Sequence, residues 1–251
     1  MQATTIDDVI DILDTIVADT TARGDELGYF AALYRQVTVE VKRAIERGEF
    51  DDNPGMSRFD ARFANRYFAA YDAYRSGGAL SRSWRLAFDR TRSGRLLIVA
   101  DLLVGINAHI NLDLGVVAGT TYRGAALARF HDDFDHINTV LVSLLPRARA
   151  VVERFSPRLG ELTALGGDDL ALVLEFSVDV ARDDAWNAAR VVSVTPSGLL
   201  PVATETLDRK ATLLGRIVAD PIEPLASVVR HVQEAESTDV AAIITALDAI
   251  A

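Results

Sequence analysis

The chain has four histidines and no cysteine, so the side chains able to do chemistry are few, and the most telling of them fall in one stretch, INAHINLDLG, residues 106–115. At about 100° per residue, a helix here places Asp101, Gly105, His109 and Asp113 in one band. His109 and Asp113, one turn apart, could jointly hold a divalent metal, or act as a base and its orienting carboxylate. The same pair could equally be a buried hydrogen bond that only fixes helix packing. Asn107 and Asn111 share a roughly opposite face, where they could orient a substrate or tie neighbouring helices together. Everything between these polar groups is aliphatic, and polar groups that deep need partners.

A second cluster, HDDFDHIN, covers residues 131–138. Leu127, Phe130, Phe134, Ile137, Leu141 and Leu144 give it one apolar face at helical spacing. Asp133 and Asn138 sit at the edges of that face. Asp133 is therefore the expected third metal ligand beside His109 and Asp113, and Asn138 a substrate contact. Asp132 and His136 point away and read as a solvated ion pair. The third cluster, FANRYFAAYDAYR, covers residues 63–75. Phe63, Tyr67, Tyr71 and Tyr74 form an aromatic stripe suited to core packing, and Arg66 and Tyr67 are candidates to face a pocket. Arg182 and Trp186, one turn apart, suggest a cation–π contact.

With so few histidines, any metal would be held mainly by carboxylates. That suits one divalent ion such as Mg²⁺, Mn²⁺, Fe²⁺ or Zn²⁺. The absence of cysteine excludes a disulfide framework, a thiolate nucleophile and sulfur-ligated clusters. No glycine-rich phosphate loop and no Gly-x-Ser-x-Gly elbow occurs. The 26 basic and 36 acidic residues leave a net charge of −10, which repels nucleic acid and anionic membrane surfaces. The N-terminus is acidic where an export signal needs basic residues, so a cytoplasmic location is expected. Leu96 to Gly119 has the length of a membrane span, but Asp101, Asn107, His109, Asn111 and Asp113 would be very costly in hydrocarbon.

The elements that must position these residues are all helical. Thr5 with Asp8, and Ser57 with Asp60, read as capping boxes. Gly24, Gly48, Gly77-Gly78, Pro146, Gly166-Gly167, Ser197-Gly198 and Asp220-Pro221 punctuate the helices between. Gly105 and Gly115 cost about 1 kcal/mol each in a helix and make sense where another element approaches closely. The only β-branched run, VVSVTP, is absorbed by the helical pattern ahead of it. The expectation is an all-α fold, one domain over residues 1–251, of about ten helices around a central buried helix at about 96–118. With 49% apolar and 25% charged residues, the chain is long enough to bury a sizeable core.

The segments GDELGYFAALYRQVT, FDD-x-P-x-M, FANRYFAAYDAY, INAHINLDLG and DFDHIN, with Arg182 and Trp186, together resemble the DUF5995 family, helical proteins of unknown function. The resemblance runs from about residue 20 to residue 220. It implies that Asn107, His109, Asn111, Asp113, Asp133 and Asn138 are signature positions, and it implies no activity. Two functions stay open. One is an enzyme, a metal-assisted hydrolase or a lyase or cyclase, acting on a small, largely apolar molecule. The other is a non-catalytic binding or scaffold protein whose buried polar residues form a structural network.

Overall fold

The computed structural model describes residues 1–161 and 178–251. Among them are twelve α-helices and no strand: α1 (Ile6–Arg23), α2 (Gly28–Glu46), α3 (Asn53–Ser76), α4 (Arg82–Thr91), α5 (Ile98–Ala108), α6 (Gly115–Thr121), α7 (Ala125–Arg129), α8 (His131–Phe155), α9 (Val178–Val194), α10 (Leu200–Ala219), α11 (Leu225–Gln233) and α12 (Val240–Leu247). The all-α expectation holds. Two helices read as continuous are each divided. A π-helical turn, His109–Leu114, separates α5 from α6, and Phe130 separates α7 from α8. Pro146 does not end α8, which runs through it to Phe155. The Gly166-Gly167 break lies outside the described residues, as does the first part of the helix expected before Val178.

Local chemistry explains most of the ends. Thr5 and Asp8 form the expected capping box of α1, and Gly24 closes that helix in the left-handed region at φ 60°. The Ser57–Asp60 box does not form. The Asp52 side chain caps α3 instead, accepting from the Gly55 amide, and Pro54 sits in the first turn, where its missing N–H is harmless. Ser57 Oγ accepts from the Ile6 amide, and Asp60 lies in the helix interior.

The rod formed by α5, the π turn and α6 is central. It spans Ile98–Thr121, is apolar and long enough to cross a membrane, and has 89% of its most apolar window buried by its neighbours. Helices α2, α4 and α10 pack on α5, α3 and α10 on the π turn, and α9 on the π turn and α6. Two large apolar clusters meet along this rod, sharing Val37 and Ile106 at their junction.

Glycine lets those neighbours come close. A Cβ on Gly105 would stand 2.7 Å from the Phe30 ring, and one on Gly115 would stand 2.9 Å from the Ala185 carbonyl oxygen. At Gly119 the Ala189 carbonyl oxygen and Val192 Cβ would both lie at 2.6 Å. The α6–α9 contact is thus backbone against backbone and cannot relax by rotating a side chain. Gly119→Ala is expected to lower stability by about 1–3 kcal/mol despite the better helix propensity of alanine. Gly198→Ala, with open space around the new methyl, should be neutral. Urea unfolding of the two variants checks this, and equal midpoints would refute the tight contact.

Candidate functional site

Asp113 is fully buried and is held by two helices besides its own. Arg66 Nε on α3 donates to Oδ1 at 2.9 Å, and Trp84 Nε1 on α4 donates to Oδ2 at 2.8 Å. His109 Nδ1 faces the same Oδ2 at 3.5 Å. The expected His–Asp pair therefore exists, and Arg66 joins it by binding the carboxylate. Arg66 keeps much of its side chain in solvent, so it snorkels inward from the surface.

The imidazole is clamped flat. Its ring stacks on Phe63 with centroids 3.7 Å apart and planes at 9°, and Tyr34 meets it edge-on at 4.7 Å. Burial pushes the His109 pKa below its ordinary value, with the Asp113 contact and charge opposing and the Arg66 charge assisting. The ring is thus neutral near pH 7. With Nδ1–H directed at Asp113, the Nε2 lone pair points away from it, and Nε2 is buried with no hydrogen-bond partner.

His109 lines a cavity of about 110 Å³ bounded by α2, α3, the central rod, α8 and the start of α9. Its wall is almost wholly apolar and includes the expected α8 face of Phe130, Phe134, Ile137, Leu141 and Leu144. Among the described residues, four polar ones line it: Tyr34, Asp60, His109 and Arg182. Tyr34 Oη and Asp60 Oδ2 are buried without a partner, as His109 Nε2 is. Burial alone raises the Asp60 pKa from 3.8 to about 7. Burial, then the charges of Asp60 and Asp113, holds the Tyr34 phenol well above its usual value, so it remains a donor. Arg182 is engaged by Phe134, donating from Nη2 to its carbonyl oxygen with the guanidinium 4.4 Å from its ring. Trp186 packs instead against His131 and Phe134, so the expected Arg182–Trp186 contact is not made.

Several expected site residues lie elsewhere. Asn107 donates to the Ala211 carbonyl of α10 and accepts from Asn111, so this pair fastens the rod to α10 and is not in the wall of this cavity. Asp133 accepts from the Asp51 and Asp52 amides and so anchors the start of α3. His109, Asp113 and Asp133 do not converge, and among the described residues no group of three or more His, Asp or Glu is placed to hold a metal. The expected donor set thus does not fit a metal ion. Tyr67 is buried in the aromatic core with its hydroxyl unpartnered, and it is not part of the cavity wall. Asn138 Oδ1 is likewise buried without a partner and outside that wall, although its neighbour Ile137 belongs to it. His136 pairs with Glu49 at 3.2 Å, and His131 with Asp135 at 3.3 Å, in place of the Asp132–His136 pair.

The family model for DUF5995, a family of unknown function, matches residues 6–221. The chain belongs to the DUF5995 family. No curated protein and no solved structure matches it. In this DUF5995 protein the stretch INAHINLDLG places His109 in the cavity wall with Asp113 hydrogen-bonded to it, while Asn107 and Asn111 tie the rod to α10. Asp60 and Tyr34 were not singled out in the sequence. The available signal for Asp60 was an acid seven residues before Tyr67 on the face of the aromatic stripe, which a capping pattern obscured.

The Asp60 carboxyl has a measurable consequence. It is protonated in the folded chain and ionised in the unfolded chain between pH about 4 and about 7. The folded state binds the extra proton, so this contribution is complete below pH about 4 and lost as pH rises through about 7, on the order of 4 kcal/mol in all. His109 acts oppositely: its lowered pKa removes stability as pH falls below 6.5. Asp60→Asn keeps the shape and cannot ionise. Its melting temperature, relative to wild type, should rise from pH 5 to about pH 7 and level off above that. A constant difference across that range would refute the raised pKa.

Proposed function

We propose that this DUF5995 protein is an enzyme that moves a proton on a small, largely apolar molecule bound in the central cavity. His109 Nε2 acts as the general base and Asp60 as the general acid. The carrying observation is that three residues lining one apolar cavity, Tyr34, Asp60 and His109, each carry a buried polar atom with no hydrogen-bond partner. Each orphan costs roughly 1–3 kcal/mol when dry, so three in one place are expensive unless something fills the space between them.

The pKa pattern supports the assignment. A neutral imidazole and a carboxylic acid titrating near 7 can exchange protons with a substrate at neutral pH. Asp113 is the positioning residue. It receives Nδ1–H, fixes the tautomer that exposes Nε2, and stabilises the imidazolium formed when Nε2 takes a proton. Arg66 and Trp84 hold that carboxylate in place through their hydrogen bonds. The aliphatic and aromatic wall favours a largely apolar body. A lyase, cyclase or isomerase step fits these groups. Metal-assisted hydrolysis has no comparable support, since the expected ligand set does not converge. The scaffold reading has its own support in Asn107, Asn111 and Asp133, which are paired and fix helix register. Those residues are assigned that role and the cavity groups the catalytic one.

The test is turnover of a small-molecule extract from the native host, followed by mass spectrometry. Wild type is run beside His109→Gln and Asp60→Asn. Species consumed and formed by wild type should persist unchanged with both variants, whose folding is checked by melting. An extract left unaltered by wild type, or altered equally by His109→Gln, would sink the enzyme reading.

A further inference from the structure

Helix α10 buries Asp208, Ala211, Gly215 and Ala219 and packs chiefly on α4 and α5. Its opposite face is open, and it is apolar where a solvated face would be charged. Of the eleven large apolar residues that stand exposed among the described residues, seven fall between Val191 and Ile222. Leu199, Val202, Thr206, Arg209, Leu213 and Ile217 form one stripe at helical spacing, and each of its four aliphatic side chains is more than half exposed. The end of α9 widens this face. Lys210, beside the stripe, pairs with Asp184 at 2.9 Å, and Val191, two turns on from Asp184 along the same edge of α9, is exposed as well. Scattered exposed aliphatic residues need no explanation, but a contiguous patch marks an interaction site.

The order of residues in the stripe points to its occupant. Read from either end, it runs aliphatic, aliphatic, polar, polar, aliphatic, aliphatic. Such a face can pair with its own copy across a twofold axis, where residue i meets j and j meets i. An axis crossing α10 between Leu207 and Asp208 sets two copies of the helix antiparallel. Val202 of one copy then meets Leu213 of the other, Thr206 meets Arg209, and Leu199 meets Ile217 to within one residue. We infer that this DUF5995 protein forms a symmetric dimer through the α9–α10 face, with the two α10 helices antiparallel across it.

Charge and size agree with a second copy. Glu205 and Asp208 are the only acids of α10, and Asp208 is buried. Glu205 lies on the same edge of the stripe as Arg209, and the two are paired within the chain at 3.0 Å. In the antiparallel arrangement each Glu205 also comes beside Arg209 of the other copy, so two symmetry-related ion pairs form near the centre of the face. They offset locally the repulsion between two chains that each carry a charge of −10. The stripe is about 27 Å long at 1.5 Å per residue, and two helices side by side are about 20 Å wide. Each copy thus offers about 500 Å², and the pair about 1,000 Å², the size that a specific interface has to reach.

The experiment is sedimentation equilibrium of the full chain from about 1 μM to about 1 mM. Wild type should approach twice the 27.2 kDa chain mass. Leu213→Lys, at an exposed position, should weaken association on the order of 30-fold or more while melting as wild type does. Val142→Lys, at an exposed aliphatic position on α8, should leave the dimer unchanged. Because the chain has no cysteine, introduced thiols report the register. Val202→Cys carrying a size tag, mixed with Leu213→Cys and oxidised, should form a disulfide between the two chains. Val202→Cys should not link to itself, since its two copies would stand about 16 Å apart along the helices, beyond the reach of a disulfide. Wild type that stays monomeric over the whole range overturns the inference and leaves the face to a different partner. A dimer undiminished in folded Leu213→Lys also overturns it, as does Val202→Cys linking to itself as readily as to Leu213→Cys.

Discussion

A carboxylate taken wholly out of water costs several kcal/mol unless charge and hydrogen bonds replace its hydration. Asp113 is such a carboxylate, and much of the molecule is arranged around meeting that cost. Its two strong donors come from different helices, Arg66 on α3 and Trp84 on α4. One side chain on the central rod therefore fixes where two neighbouring helices stand. The π turn from His109 to Leu114 lies where this happens, and π turns often mark places where a helix has been adjusted to present side chains. Beyond it the rod must meet α9 at Gly115 and Gly119, where only glycine leaves room for the facing backbone.

Two further aspartates work one step back. Asp133 on α8 accepts from the Asp51 and Asp52 amides, at the start of α3, the helix that carries Asp60, Phe63 and Arg66. Asp208 on α10 accepts from the Arg82 and Ser83 amides and the Ser83 hydroxyl, at the start of α4, the helix that carries Trp84. A carboxylate at a helix N-terminus satisfies amides that have no partner within the helix and complements the dipole. Both helices that grip Asp113 are thus seated by a buried acid from elsewhere in the chain. Chains of this kind hold a site to small tolerances without placing the anchoring residues in it.

Local pattern carried much of this. The buried rod, its two polar faces, its close-approach glycines and the apolar face of α8 all follow from helical periodicity, which depends only on near neighbours. The roles of Asp133 and Asn107 did not follow, because their partners lie 82 and 104 positions away, a relation that no spacing rule encodes. Asp60 was misplaced for a different reason. Ser57-x-x-Asp60 has the form of a capping box, but the helix already begins at Asn53, where Asp52 and Pro54 supply the actual start signal. Tyr34 gives no polar signal in its helix, since a tyrosine at a core position reads as packing. Its hydroxyl becomes informative only once the cavity beside it exists.

The rod pairs some of its buried polar groups and leaves others open, Asp101 Oδ1 and His109 Nε2 among them, and only the second belongs to a residue of this cavity's wall. Asn107, Asn111 and Asp113 show that this fold can pair a buried polar group when it needs only to be stable. Within a few residues of them, His109 Nε2 is left open, and the two groups it shares a cavity with are left open as well. Against a typical net stability of about 5–15 kcal/mol, keeping three such groups unpaired by protein is a large standing cost. A leucine or phenylalanine at any of the three positions would lower it, and the groups retained instead are an acid, a base and a hydrogen-bond donor.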